Sequence, residues 1–264
     1  MKKLLFLITI AALMLSAFIE KEPVSKLNGA YIRSEFKFGD MTEWGKDKDQ
    51  KVVKLFKNGY YMIFYYDDHR PNRKLFNGVG GGTYEIIDGK YHEGHDFYSW
   101  DSTHIGQITV MDYKVDANVY EQYGKINTAK YKDYQVTEKL SRIKPTEPLK
   151  NNKLEGVWEM TEGTWGGATK FGEGKYKDAT VRMIFQYPKM AVVYYNPKNK
   201  TFDGGGIFNY QFDGKTFTEY CEGYSWDSTQ VGKIGKFLIK TDGKTFTKTS
   251  ENWAGFKEVF KRIK

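Results

Sequence analysis

A six-residue segment, Tyr98-Ser99-Trp100-Asp101-Ser102-Thr103, returns unchanged as Tyr224-Ser225-Trp226-Asp227-Ser228-Thr229. A tryptophan-containing match of this length in a 264-residue chain points to duplication of a whole structural unit rather than to chance. The flanks agree. Gly80-Gly81-Gly82 aligns with Gly204-Gly205-Gly206, Asp88-Gly89-Lys90 with Asp213-Gly214-Lys215, Gly106 with Gly232, and Arg142-Ile143-Lys144 with Arg262-Ile263-Lys264. The chain is thus read as two homologous lobes, 26–144 and 153–264. They are joined at 145–152 by a linker that Pro145 and Pro148 make stiff.

Aromatic residues make up 17% of the chain and there are 27 glycines, a balance that favours strands and turns over helices. Asn58-Gly59 between apolar runs is a strong hairpin signal, because both turn residues must take positive φ. It joins expected strands at Lys51–Phe56 and Tyr60–Tyr66. Further strands are expected at Gly81–Ile87, Lys90–Tyr98, Ile105–Val115 and Tyr131–Ile143, giving roughly eight in the first lobe. The second lobe repeats the plan at Thr180–Gln186, Met190–Tyr195, Ile207–Phe212, Thr216–Tyr220, Lys233–Lys240, Thr245–Ser250 and Phe256–Ile263. No window shows a sustained helical period. Successive hairpins in about 120 residues predict an all-β chain of two tandem up-and-down antiparallel barrels, since closure removes the sheet edges.

Lys2, Lys3 and the apolar run Leu4–Leu15 read as a secretory signal peptide over residues 1–19, the run being too short for a bilayer span. A periplasmic or secreted location is expected, with no membrane span after cleavage. Cys221 is the one cysteine, so an internal disulfide is excluded and no cysteine near the leader offers a lipid anchor. The net charge of +8 falls to +6 without Lys2 and Lys3, and the remaining charges are interspersed. No basic block marks a nucleic-acid partner.

Gly29-Ala30-Tyr31 and Gly156-Val157-Trp158 open the lobes, and Arg142 and Arg262 close them. The Gly-x-Trp and late Arg resemble the lipocalin (calycin-type) superfamily. The glycine run, Asp-Gly-Lys turn and acidic strand resemble the tandem lipocalin-like domains of secreted Bacteroidetes proteins, a set largely without assigned function. The resemblance implies that Arg262 lies across Trp158 and Arg142 across Tyr31, sealing one end of each barrel by cation–π contact.

The chemistry-bearing motifs are few. His92 and His95 are three apart on a strand, so they point to opposite faces and make a poor metal pair. The glycine runs lack the following Lys-Ser/Thr and helix of a phosphate loop, and read instead as a bend or close backbone approach. All four histidines lie in the first lobe, which leaves Cys221 without a His in its own lobe. No metal, cofactor or catalytic residue is expected. Alternation on the strand after Asp-Gly-Lys points Tyr91, Glu93, His95 and Phe97 inward, with Phe217, Glu219, Cys221 and Gly223 as counterparts. Alternation puts Tyr98 and Tyr224 on the opposite face. Candidate ligand-contacting residues are Glu93, His95 and Glu219 from the inward face, with Tyr98, Trp100, Tyr224 and Trp226 of the repeated hexapeptide read as lining a mouth that stacks on a ligand. For the two tryptophans, an end plug or a lobe–lobe contact is the alternative; for the two carboxylates, it is an internal bond or simple exposure to water.

These features suggest a non-catalytic binding protein for a small, partly apolar ligand. Its rivals are a structural module with filled barrels and an isomerase-type enzyme. Cavity volume discriminates among them, because a space below about 300 Å³ is smaller than ligand pockets usually run.

Overall fold

A computed structural model describes residues 24–67, 76–167 and 169–264. The expected signal peptide and most of the polar Asp67–Phe76 loop lie outside the described residues. The first lobe comprises β1 (Gly29–Phe38), β2 (Gln50–Lys57), β3 (Tyr60–Asp67), β4 (Phe76–Ile87), β5 (Lys90–Tyr98), β6 (Ile108–Val115), β7 (Val119–Ile126) and β8 (Tyr134–Arg142). The second comprises β9 (Gly156–Trp165), β10 (Thr180–Gln186), β11 (Lys189–Asn196), β12 (Thr201–Phe212), β13 (Thr216–Tyr224), β14 (Ile234–Thr241), β15 (Thr245–Thr249) and β16 (Phe256–Arg262). Each set forms a closed antiparallel barrel in which neighbours in sequence are neighbours in space. The all-β tandem-barrel expectation is met.

Strand ends account for two departures from the sequence reading. The expected Gly81–Ile87 strand starts five residues earlier, at Phe76, so its glycines lie inside β4. Ring packing explains them: a Cβ at Gly80 would crowd Tyr98, and one at Gly81 would strike Phe97. β7 was not expected at all. Its inward positions include Gln122 and Gly124 beside Tyr120, which blunts the apolar alternation that marks a strand.

Both barrels close as the Gly-x-aromatic and Arg pattern suggested. Arg262 pairs opposite Trp158 and Arg142 opposite Tyr31. The guanidinium carbons stand 4.2 Å from the Trp158 ring centre and 4.6 Å from the Tyr31 ring centre. Gly29 and Gly156 supply the room, since a Cβ at either would collide with the arginine.

The register aligns the lobes residue by residue and corrects one sequence equivalence. Gly204 answers to Gly78, not Gly80: each follows a strand irregularity opposite Tyr194 or Tyr65. Each also lies beneath the repeated tryptophan, where a side chain would collide with the indole.

The barrels pack on each other with β10 against β2 and β3 and β12 against β5. Ala30, Leu55, Met62, Phe64, Val157, Ile184, Val193 and Ile207 bury one shared apolar cluster. Equivalent residues meet across it. Phe76 stacks on Phe202, ring centres 6.1 Å apart, and Phe97 packs on Tyr195 while its counterpart Gly223 lies against Tyr66. This is the reciprocal arrangement of a two-fold dimer, built within one chain. Polar contacts frame it. Arg182 bridges Asp96 and Glu159, and Glu222 accepts from Tyr66 and Lys189 at 2.9 and 2.5 Å. Trp100 and Trp226 take no part, being 43% and 39% exposed at the barrel mouths.

Candidate functional site

Alternation along β5 and β13 does turn Glu93, His95, Glu219 and Cys221 into the barrels, where they line the cavities. It then fails at the same point in each. A register shift between His95 and Phe97, and another between Cys221 and Gly223, place an extra residue in the strand. A bulge of this kind reverses which face the following residues take. Phe97 and Gly223, expected inside, therefore face the other barrel. Tyr98 and Tyr224, assigned by alternation to the outer face, line the cavities beneath Trp100 and Trp226.

Trp100 packs edge-on to Tyr65 and Tyr98, and Trp226 likewise to Tyr194 and Tyr224. The Asp-Ser-Thr that follows forms the expected turn. Asp101 accepts from Thr103 N and Oγ1 at 3.0 and 2.6 Å, and Asp227 from Thr229 N and Oγ1 at 2.9 and 2.7 Å. The repeated hexapeptide thus sets an aromatic lip on each barrel.

Behind these similar mouths the interiors differ. In the first barrel, Lys54 Nζ lies 2.6 Å from Glu93 Oε2 and 3.0 Å from Gln122 Oε1. Gln122 donates to Glu138 Oε2 at 2.7 Å, and Arg33 reaches Glu138 Oε1 and Asp47 Oδ1, both at 2.7 Å. Tyr91 adds a 2.7 Å bond to Glu93 Oε2. His95 bonds Tyr61 through Nδ1 at 2.8 Å and Thr109 through Nε2 at 2.9 Å; burial holds the imidazole below its ordinary pKa. Burial, the largest single influence, would raise the Glu93 carboxyl, but the charges of Lys54 and His95 and the hydrogen bonds from Lys54 and Tyr91 together hold it below the usual carboxylate range. This network leaves a space of about 190 Å³. Glu93 and His95 are thus committed to partners within the barrel.

The second barrel encloses about 620 Å³. Met160, Met183 and Met190 stand where the first barrel has Arg33, Lys54 and Tyr61, so these three positions send no polar side chain into the interior. Trp165, Tyr176, Tyr194, Trp226, Trp253 and Phe256 form the wall toward the mouth. Deeper lie three charges. Lys248 Nζ stands 3.2 Å from Glu219 Oε2, 3.9 Å from Glu258 Oε2 and 3.8 Å from the Phe237 ring centre. Glu258 Oε1 accepts from Trp165 Nε1 at 3.0 Å and Tyr194 Oη at 3.4 Å. Its Oε2 is buried without a hydrogen-bond partner among the described residues.

Sequence reasoning missed Arg33, Lys54, Glu138, Lys248 and Glu258. The available signal was alternation: Lys54 falls between Val52 and Phe56, and Glu258 between Phe256 and Phe260. A charge spaced with inward apolar neighbours points inward too.

Among the described residues, no group of three His, Cys, Asp or Glu side chains is placed to hold a metal ion. His92 and His95 do face opposite ways, His92 half-buried and His95 buried. No protein-family model matches the chain, and no curated protein matches it significantly. Among the described residues no helix is long and apolar enough to cross a membrane.

Proposed function

We propose that the chain is a non-catalytic, exported binding protein of lipocalin-like construction whose second barrel holds one small, partly apolar ligand. The observation that carries this reading is the contrast between two barrels of one design. The 620 Å³ space in the second lies within the range of ligand cavities, and the 190 Å³ space in the first falls below it. An aromatic wall around a few buried polar atoms is the usual make-up of such a site. Glu219, Tyr224 and Trp226 belong to it; Glu93, His95, Tyr98 and Trp100 are their counterparts in a barrel filled by its own side chains. The structural-module reading suits that first barrel, which buttresses the second through the shared apolar cluster. Export is supported by the basic-then-apolar leader read from the sequence.

Cys221, the only thiol in the chain, is buried in the wall of the larger cavity and reports on its occupancy. The neutral, apolar dye N-phenyl-1-naphthylamine should brighten on addition of the protein. It should also slow alkylation of Cys221 by N-ethylmaleimide at least tenfold. An unchanged alkylation rate at saturating dye would contradict binding in this barrel.

A further inference from the structure

The second barrel's three interior charges do not balance. In the first barrel the carboxylates at equivalent positions, Glu93 and Glu138, each have a cation in direct contact, Lys54 and Arg33. The second barrel keeps both carboxylates, as Glu219 and Glu258, but Met183 and Met160 replace the two cations. Lys248, at the position of Gln122, is the one buried ammonium among the described residues lining the cavity, and the two carboxylates share it. It sits closer to Glu219 than to Glu258 and presses on the face of Phe237.

Glu258 is left underserved. It is only 5% exposed, and among the described residues Oε2 has no hydrogen-bond partner, the Lys248 ammonium standing off at 3.9 Å. Burial pushes its carboxyl above the ordinary range despite Lys248, and Glu219 adds to the rise. A buried acceptor without a partner is costly, and such atoms call for an explanation. Glu258 lines the 620 Å³ cavity, its other oxygen held by Trp165 and Tyr194. Tyr176 and Trp226 extend the same wall, Tyr176 lying 5.1 Å from Trp165 and Trp226 5.1 Å from Tyr194, ring centre to ring centre. Aromatic faces carry negative potential and attract cations, most strongly out of water.

We infer that the ligand of the second barrel is an amine, whose protonated nitrogen donates to Glu258 Oε2 and whose apolar body lies against Trp165, Tyr176, Tyr194 and Trp226. The inference rests on the cavity-binding reading above. An ammonium–carboxylate hydrogen bond is roughly twice as strong as a neutral one, so the site should separate a cation from a neutral molecule of the same shape. An anion would meet two carboxylates and one committed lysine.

Three probes of one shape test this: phenethylamine, 2-phenylethanol and 3-phenylpropionate, each competing with N-phenyl-1-naphthylamine on the full chain at pH 7. The amine should bind at least tenfold more tightly than the alcohol, and the propionate most weakly. Glu258→Gln should bring amine and alcohol to equal affinity, with the melting temperature no lower than the native value. Met160→Arg supplies a second variant. It restores the guanidinium that Arg33 sets against Glu138 in the first barrel and should weaken the amine at least tenfold relative to the alcohol. Equal binding of amine and alcohol by the native chain would overturn the amine assignment, while alcohol competition would keep the cavity reading intact. Preference for the amine that survives both substitutions would overturn it as well, as would dye that none of the three displaces. Dye that does not bind at all would instead defeat the cavity reading itself.

Discussion

Replacing Lys54 by Met is expected to destabilise the first barrel by about 3–5 kcal/mol, the usual effect of breaking one side of a buried ion pair. Lys54 is 1% exposed, and its ammonium bonds Glu93 and Gln122 while lying 4.9–5.1 Å from the ring centres of Phe56, Tyr61 and Tyr91. The substitution leaves Glu93 charged and buried beside Tyr91. Adding Glu93→Gln should recover most of the loss, because the cost lies in the stranded charge rather than in the missing attraction. The pH dependence follows the same logic. A carboxyl lowered in the fold adds stability above its unfolded value of 4.5, and that stability is lost as pH falls through the folded value. The native barrel therefore weakens on acidification. The Lys54→Met deficit narrows over the same range, since Glu93 can then take up a proton. Urea unfolding of the two variants at pH 7 and pH 4 measures both effects; a loss below about 1 kcal/mol at pH 7 would show that the network is not a buried one.

Arg262→Met should cost the second barrel about 3 kcal/mol. The guanidinium caps Trp158, donates to Gly243 O and Lys153 O at 2.6 Å each, and also bonds Glu155 O. A cation–π contact contributes about 0.5–2 kcal/mol, and hydrogen bonds from a charged donor add to it. Arg262→Lys should restore less than half, because one ammonium cannot reproduce the planar fork that faces three carbonyls and covers an indole. Thermal melting distinguishes the outcomes: a loss of only a few tenths of a kcal/mol would mean that the barrel end is closed by other contacts.

Much of the fold is legible in the chain because duplication shows every signal twice. The Gly-x-aromatic start and Arg finish announce closure, and the Asn-Gly and Asp-Gly turns mark hairpins with positive φ at Asn58, Gly59, Asp88 and Gly89. Alternation also carries Glu93 and Glu219 inward correctly. It cannot foresee the bulges after His95 and Cys221, which turn Phe97 and Gly223 outward and bring Tyr98 and Tyr224 to the cavities. Nor can it say which barrel is hollow. That depends on whether long polar side chains from several strands meet across the interior. Arg33, Lys54 and Tyr61 fill the first barrel, whereas Met160, Met183 and Met190 leave space in the second. Each difference is unremarked in sequence, and only the closed barrel brings the three positions together.

The division of labour between the barrels is tested most directly by a crystal structure of the chain grown with saturating N-phenyl-1-naphthylamine. One dye molecule should lie in the second barrel, against Tyr194 and Trp165 and within reach of Cys221, with the Lys54–Glu93–Gln122 network of the first barrel unchanged. Dye inside the first barrel or between the two, with the second barrel empty, would contradict it.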